Sequence, residues 1–354
     1  MRPRVLASVA VVALALVVGW VALARSARRP AAKQAREGEA QEHKWTPLRT
    51  SWNAPDLQGI YNTASGTPLE RPNWVKGPVL TDEEFAEAQR RFAEAEARGD
   101  STAPVKEGDA NFNAYNNFWR DRAKPSRRSS LIIDPPDGRL PPLAQEGLKR
   151  MAARAERFRG VPPDEPAPGG FTEDISNWVR CITRGLPGVM MTNTYNMNLQ
   201  IVQARGYVMI LHEMIHEPRI IPLDGRPHVG SNIRQYYGDP VGHWEGNTLV
   251  IDTTNFNDKI DFKGTFTGQG SVTTTTKLHV VERLTRVADG EIEYQYTVDD
   301  PGTWTKPWTA RWSWTKDDNQ DEIYEYGCHE GNRGIVGILT GARVRENAAP
   351  LKNR

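Results

Sequence analysis

The chain has 354 residues, of which 38% are hydrophobic and 25% charged, a composition typical of a globular protein with one large domain or two smaller ones. Its 45 basic and 44 acidic residues leave a formal net charge of +1. This balance gives no indication of nucleic-acid binding or of an anionic macromolecular partner, because both are associated with a surplus of positive charge. We therefore expect no nucleic-acid partner.

The N-terminus carries a long apolar segment. Two arginines precede an uncharged stretch from Val5 to Ala24, which is long enough to cross a bilayer as a helix of about 20 residues. Ala22-Leu23-Ala24 offers a cleavage site, but the stretch exceeds the usual signal-peptide apolar region of about 7 to 15 residues. Residues 1–24 are therefore predicted to be a signal peptide or a membrane anchor. The protein is expected in the periplasm, or anchored to the inner membrane and facing the periplasm.

The next two parts of the chain differ in composition. Residues 25–44 are charged and almost without large apolar side chains, which is typical of a disordered tether. Residues 45–170 contain many prolines and few alternating runs. Within them, Thr81–Arg98 is predicted to be a helix, because Thr81 and Glu84 form a capping-box pattern. With a second helix predicted at 144–158, we interpret residues 45–170 as an N-terminal extension with helices packed on the following domain.

Residues 171–354 have the period of two that predicts half-buried β-strands. Clear examples are Met197–Ile201, Ile292–Val298 and Trp308–Trp314, where large apolar side chains alternate with polar ones. Glycine-containing turns such as Arg205-Gly206 and Asp289-Gly290 separate the predicted strands. The fold class is therefore predicted to be mainly β, an antiparallel meander that closes into a lipocalin-like barrel, with a sandwich as the alternative.

Residues 212–216 read His-Glu-Met-Ile-His, which matches the HExxH pattern of zinc peptidases. In that pattern a helix places the two histidines on one face, so that both bind the metal. In a strand, His212 and His216 lie about 13 Å apart, too far to share one zinc ion. The segment Tyr207–His216 is rich in Val and Ile, follows a tight turn and stops before Pro218, which favours a strand. A zinc site at His212 and His216 remains the alternative that a helix requires.

The strand interpretation makes Glu213 a candidate for proton transfer. Both faces of this predicted strand are largely apolar, so its inward face brings an ionisable group into the barrel. If that group is Glu213, burial raises its pKa and suits it to general acid or base catalysis. The alternative is a structural carboxylate paired with Arg234 or Arg180.

Two other stretches place polar groups beside aromatic residues and glycines. In "GHWEGNTLVIDTTNF" (242–256), His243 and Glu245 flank Trp244, and "YEYGCHEGNR" (324–333) contains His329 and Glu330. Histidine and glutamate at strand ends are typical of acid/base sites, although the same residues also occur in ordinary hairpin turns. The predicted catalytic residues are Glu213, His243, Glu245, His329 and Glu330, and the predicted ligand-binding residues are Arg180, Asp224, Arg226, Arg234, Trp244 and Asn332.

The chain contains two cysteines, Cys181 and Cys328. Export to an oxidising compartment and an even number of cysteines predict a disulfide between them. A nucleophile and base pair formed by Cys328 and His329 is the functional alternative. It is disfavoured because neighbouring residues in a strand point to opposite faces.

Four segments carry a resemblance to a known family: "SLIIDPPDGRLPPL", "IIPLDGRPHVGSNIR", "GHWEGNTLVIDTTNF" and "YEYGCHEGN". They resemble the recurring blocks of a widespread family of uncharacterised exported bacterial proteins, over roughly residues 45–345. The resemblance implies export and a shared fold, without an established reaction or cofactor. In that family the position of His212 is often another residue, which further weakens the zinc interpretation.

Three hypotheses for function follow. The first is acid/base chemistry of the hydrolase, lyase or isomerase type on a small, partly apolar organic molecule inside the barrel, without a cofactor. The second is a non-catalytic barrel that binds such a molecule, which a fully ion-paired interior would support. The third is an HExxH zinc peptidase. The membrane is expected as a partner only if residues 1–24 are not cleaved.

Overall fold

The computed structural model describes residues 45–99, 121, 123–157, 175–191, 195–215, 217–260, 262, 272–316 and 322–348. The chain divides into two compact units, residues 1–46 and 47–354, and the second unit contains all the elements described below. The predicted signal peptide or anchor (1–24) and the predicted tether (25–44) lie outside the described residues. Across the described ranges, no helix has the length and apolar character needed to span a membrane.

The second unit is mainly β, as predicted, and its described strands form one nearly closed, barrel-shaped antiparallel sheet. The strand order is β5-β4-β3-β1-β10-β9-β8-β7-β6, and β2 pairs with β10. The strands are β1 (Gly59–Asn62), β2 (Ile132–Asp134), β3 (Asn198–Ala204), β4 (Tyr207–His212), β5 (Pro218–Pro222), β6 (Asp239–Glu245), β7 (Thr248–Thr254), β8 (His279–Ala288), β9 (Glu291–Asp299) and β10 (Trp308–Lys316).

Alternating side chains of the strands fill the interior of the barrel. In β9, Tyr294 and Tyr296 point inward and are fully buried, whereas the residues that alternate with them are half-buried. The inward residues of β10 include Trp308 and Trp312, whose rings meet that of Tyr296 edge-to-face at centroid distances of 5.5 and 5.6 Å. Burial of each such side chain contributes roughly 1.5–3 kcal/mol, so this aromatic cluster is a major part of the core.

The barrel closes where β5 lies beside β6 without a hydrogen-bonded ladder. Gly242 makes this approach possible, because a Cβ atom there would lie 2.7 Å from both Ile221 Cγ2 and Leu223 Cδ2. Directions alternate along the strand order, so β5 and β6, at its two ends, run in the same direction. We call the end at which β4 stops at His212 and β6 begins at Asp239 the A end, and the opposite end the B end.

The N-terminal extension contributes strands to the sheet in addition to the predicted helices. β1 lies between β3 and β10, with Asn62 opposite Asn198 on one side and Thr315 on the other. The physical reason is that β3 and β10 would otherwise each expose an unpaired edge. A segment of only four residues satisfies both edges.

Two helices of this extension form close to the predicted positions, as α1 (Asp82–Gly99) and α2 (Gln145–Arg157). The capping box is present, since the Thr81 backbone N–H donates to Glu84 Oε2 at 2.8 Å and the Glu84 N–H donates to Thr81 Oγ1 at 3.2 Å. In α2, Arg150 Nη2 donates to the carbonyls of Thr273 at 3.2 Å and Gly302 at 3.0 Å. These bonds hold α2 against the loops of the barrel.

The C-terminal part contains the short helix α3 (Cys328–Gly331) and the helix α4 (Arg333–Ala348). Cys181 and Cys328 form the predicted disulfide, with their Cα atoms 5.7 Å apart. The bond connects α3 to residues 175–191, which lie just before β3 in the chain. Asn332, between the two helices, adds a hydrogen bond of 2.7 Å from Nδ2 to the Val179 carbonyl.

Candidate functional site at the A end of the barrel

The motif that begins at His212 is neither a helix nor a complete strand. β4 stops at His212, and Glu213–Ile215 form a turn in which Ile215 has a φ of 61°. The expected strand to position 216 is therefore too long, because the chain reverses here to begin β5 at Pro218. The helix that the HExxH pattern requires is not formed over residues 207–215, and His216 lies outside the described residues.

The inward face of β4 carries His212, not Glu213. Val208, Ile210 and His212 are buried in the barrel, whereas Tyr207 and Met209 face outward. His212 lies opposite Leu199, another inward residue. The ionisable group that this strand brings inside is therefore the imidazole of His212, and Glu213 follows the end of the strand.

Glu213 is also buried, in a polar network with Asn198. Its Oε2 accepts hydrogen bonds from the side chain of Asn198 at 3.0 Å and from the Asn198 backbone N–H at 3.3 Å. Asn198 Oδ1 accepts from Asn62 Nδ2 at 3.0 Å, and Asn62 Nδ2 also approaches Asp121 Oδ1 at 3.3 Å. Burial raises the pKa of Glu213, against the lowering effect of the asparagine hydrogen bonds. An asparagine, and not Arg180 or Arg234, is the partner of this carboxylate.

His212 is buried, with 5% of the residue exposed, and lines a small cavity at the A end. The space between the lining side chains is about 260 Å³, including its opening to solvent. Burial, together with the nearby guanidinium groups of Arg219 and Arg184, lowers the pKa of His212 to about 3, so the imidazole is neutral near pH 7. Its Nε2 atom is buried and has no hydrogen-bond partner in the described part of the chain.

A buried ion pair crosses the interior near this cavity. Arg219 of β5 binds Glu282 of β8 through both guanidinium Nη atoms, and the Nη1 to Oε1 distance is 3.0 Å. The hydroxyl of Tyr294 donates to the same Oε1 at 2.8 Å. Both charged side chains are at most 1% exposed. The carboxylate that faces the barrel interior is therefore fully engaged.

His243 and Glu245 belong to a separate, exposed cluster toward the B end. Both lie on the outer face of β6, with His243 Nε2 3.3 Å from Glu245 Oε1. Glu245 Oε2 accepts from Arg283 at 2.6 Å, and this bond lowers the pKa of the carboxyl group. Trp244, between them, points inward and packs on the core. Because β4 and β6 finish at opposite ends of the barrel, these residues do not join Glu213 in one site.

His329 and Glu330 are exposed on α3, and Asn332 lies just beyond it. The neighbouring Tyr326 packs against Trp178, Met214 and Ile215, so this segment lies beside the turn that follows Glu213. The structure thus brings one of the two predicted turn clusters near the A end, although His329 and Glu330 themselves face solvent.

The remaining predicted ligand-binding residues are dispersed. Asp224 and Arg226 form an exposed ion pair of 2.5 Å in the loop after β5, which is at the B end. Arg234 Nη1 donates to the carbonyls of Phe256 at 3.2 Å and Thr276 at 3.0 Å. Arg180 lies next to Cys181, with Nη1 3.5 Å from Asn177 Oδ1. The contacts of Arg234 tie loops together, and none of these residues is among those that line the cavity beside His212.

One polar cluster was missed by sequence reasoning. On the outer face near the A end, His228 Nδ1 lies 3.1 Å from Asp239 Oδ2, and His228 Nε2 lies 3.0 Å from Asp252 Oδ1. Asp252 Oδ2 also lies 2.9 Å from His279 Nε2. The one available signal was Asp252, a charged residue inside the apolar run "TLVIDTT". Within the described ranges, no group of three or more potential ligands has an arrangement suited to a metal ion.

Comparison with protein-family models, with curated proteins and with solved structures gives no match for this chain. A barrel hosts many unrelated activities, so its architecture does not identify a function. The polar groups at the A end are therefore the basis for assigning a function.

Proposed function

We propose that this protein is an exported barrel that binds a small, partly apolar organic molecule at its A end. The observation that carries the proposal is the buried Nε2 of His212, which has no hydrogen-bond partner among the described residues and belongs to a side chain lining a cavity. Buried polar atoms are normally hydrogen-bonded, so this atom favours a ligand that supplies the missing partner.

The rest of the cavity lining supports the same function. Val189, Met191 and Met214 provide apolar surface, and Asn196 and Asn198 provide amide groups. Such a mixture of apolar surface and a few convergent polar groups is typical of small-molecule sites. The enclosed part of the cavity is only about 10 Å³, roughly the space of one water molecule, so we place an organic ligand mainly in the open mouth of the cavity.

Binding fits these groups better than proton transfer does. Glu282 is fully paired with Arg219, and the carboxylate of Glu213 is held by Asn198. His212, with a pKa of about 3, is a weak base near neutral pH. The polar groups at the A end are therefore suited to orient a ligand.

The test is a thermal-shift and calorimetric screen with five probes: benzamide, hexanamide, benzyl alcohol, benzoate and hexanoate. A probe at 100 times its Kd should stabilise the native state by about 2.7 kcal/mol and raise Tm accordingly. His212→Phe, which keeps an aromatic ring but removes the polar atoms, should abolish the shift. His243→Phe is the matched control, because His243 is exposed on the outer face of β6 and should not affect binding.

The proposal fails if none of the five probes stabilises the wild-type protein. It also fails if His212→Phe and wild type bind the same probe with equal affinity.

Acid/base catalysis remains a second candidate, supported by the raised pKa of the buried Glu213. If the wild-type protein converts a bound probe, Glu213→Gln should lower the rate by about 10² to 10⁴-fold with little change in affinity. Glu245→Gln and Glu330→Gln, at exposed positions, serve as controls. Recovery of every bound probe unchanged would remove this candidate.

A further inference from the structure

A second arginine at the A end, Arg184, is buried, and among the described residues it lacks the carboxylate partner that normally accompanies such a group. Only 9% of the residue is exposed. Its Cζ atom lies 4.3 Å from the ring centroid of Trp178, and Nη1 contacts Met214 Sδ at 3.1 Å. The Nε atom is buried with no hydrogen-bond partner within the described part of the protein.

The backbone holds this side chain inside the protein. The Gly185 N–H donates to Thr183 Oγ1 at 2.9 Å, and the Val189 N–H donates to the Gly185 carbonyl at 2.8 Å. Gly185 has a φ of 65°, and a Cβ atom there would lie 2.3 Å from Ile260 Cγ2, so the segment is packed closely. Arg184 is therefore not a surface side chain that has folded inward by chance.

Arg219 and Arg184 differ in whether the charge of the guanidinium group is paired with a carboxylate. The guanidinium of Arg219 is neutralised by Glu282, whereas no carboxylate of the described ranges lies within ion-pair distance of Arg184. The groups that interact electrostatically with Arg184 are the phenols of Tyr195, Tyr237 and Tyr326, and none of them is a carboxylate. Burial lowers the pKa of Arg184, because removing the charged guanidinium group from water is unfavourable. An uncompensated buried cation is costly, and an anion would offset that cost.

Arg184 also contributes to the walls of two adjacent cavities. One is the cavity of His212, and the other, of about 220 Å³ including its opening, is lined by Ser176, Asn177 and Thr183. Hydroxyl and amide groups beside a guanidinium are typical recognition groups for a carboxylate or another small oxyanion. His212 is neutral, so Arg184 supplies the positive charge that is not already paired.

We infer that Arg184 is the anion-binding residue of the A-end site and that the natural ligand is a small organic acid. Its carboxylate would bind the guanidinium of Arg184, and its apolar part would lie against Met191 and Met214. This inference rests on the proposed function for its location, and it adds the charge and the chemical class of the ligand.

The test compares matched probes that differ in charge alone: benzoate with benzamide, and hexanoate with hexanamide, by calorimetry at constant ionic strength. The wild-type protein should bind each acid at least 10-fold more tightly than its amide. Arg184→Met should reduce that ratio to about 1 while leaving the affinity for the amide nearly unchanged. Arg226→Met, at an exposed arginine of the B end, is the matched control and should keep the wild-type preference.

The variant should also unfold at a temperature equal to or above that of the wild type without ligand, because an uncompensated charge is removed. Arg184→Lys, which keeps the charge but not the planar fork, should show a reduced preference for acids. If Arg184→Met fails to fold, the ratio of acid affinity to amide affinity in the wild type and in Arg184→Lys still tests the role of Arg184.

The outcomes separate this inference from the proposed function. Equal binding of acids and amides by the wild type, at a site blocked by His212→Phe, would overturn the anion assignment and leave the binding function intact. Stabilisation by sulfate or phosphate that Arg184→Met abolishes, without binding of any organic probe, would support an anion site and overturn the organic ligand. An acid preference that persists in Arg184→Met would overturn the role of Arg184.

Discussion

The ion pair between Arg219 and Glu282 is expected to have a large effect on stability when either partner is changed alone. Each single variant, Arg219→Met or Glu282→Gln, leaves a buried partner without its counter-charge and should lower the free energy of unfolding by about 3–5 kcal/mol. The double variant should lose less than the sum of the two, with a coupling of about 0.5–3 kcal/mol. Chemical denaturation of the four proteins measures this cycle, and additive losses would contradict it.

His279 and Asp252 should make stability depend on pH. The hydrogen bond that Asp252 accepts from His279 raises the pKa of His279, and the same bond lowers the pKa of Asp252. The stabilisation from His279 is complete below its unfolded-state pKa of about 6.5 and is lost as the pH rises through the raised folded-state value. The stabilisation from Asp252 is present above about pH 3.9 and is lost as the pH falls through the lowered folded-state pKa of this carboxyl group.

Asp252→Asn tests this pair. It should lower the pKa of His279 in an NMR titration of the imidazole protons, and it should remove the loss of stability above pH 6.5. Asp258→Asn, at an exposed position beyond β7, is the control. An unchanged His279 titration in Asp252→Asn would show that the contact does not persist in solution.

Sequence reasoning identified some individual residues and misplaced others, for physical reasons. The cysteine pair was predictable because a chain with two cysteines offers one intramolecular pairing, which the predicted export favours. The inward face of β4 could not be predicted from the sequence. Val208 and Ile210 on one face and Met209 and Leu211 on the other are all apolar, so the pattern does not distinguish the two faces. Arg184 was also missed, since a single arginine in an irregular segment gives no local signal of burial.

At the scale of elements, hairpins were easier to predict than inserted strands. The turns at Gly206, Gly246 and Gly290 all have positive φ values, and each is marked by a local two-residue pattern. β1, by contrast, has only four residues and pairs with partners far away in the chain. The position of β1 between β3 and β10 depends on pairing with strands that are distant in the sequence, and no local sequence pattern predicts that pairing.

The seam between β5 and β6 can be tested through its glycine. Gly242→Ala should lower the free energy of unfolding by about 1–3 kcal/mol, because the added methyl group would lie 2.7 Å from both Ile221 Cγ2 and Leu223 Cδ2. Gly337→Ala is the control, since no neighbouring atom lies within 4 Å of the added group in α4. In a helix this change should be neutral or stabilise by up to about 1 kcal/mol. Equal effects of the two variants in urea denaturation would contradict the close packing of β5 on β6.

For the whole molecule, the antiparallel barrel followed from a run of amphipathic strands and from the need to cover their edges. The way in which the barrel closes could not be predicted from the sequence. Directions alternate along the strand order, so its first and last strands run in the same direction and meet by side-chain packing around Gly242. The proposed binding site was the hardest feature to predict, since its residues come from β4, from residues 175–191 and from the turn that follows β4.

The disulfide joins two of the parts that surround the A end, so its removal should affect both global stability and ligand binding. Cys181 and Cys328 are 147 positions apart, and a link over a loop of that length stabilises by about 2–5 kcal/mol. The double variant Cys181→Ser/Cys328→Ser should therefore have a lower Tm, and a reductant should lower the wild-type Tm to the same value without affecting the variant. Because Cys181 lies three positions before Arg184 and Tyr326 packs on Trp178, the variant should also bind benzoate more weakly than the wild type. A variant with wild-type Tm and wild-type affinity would show that the fold positions residues 175–191 without the bond.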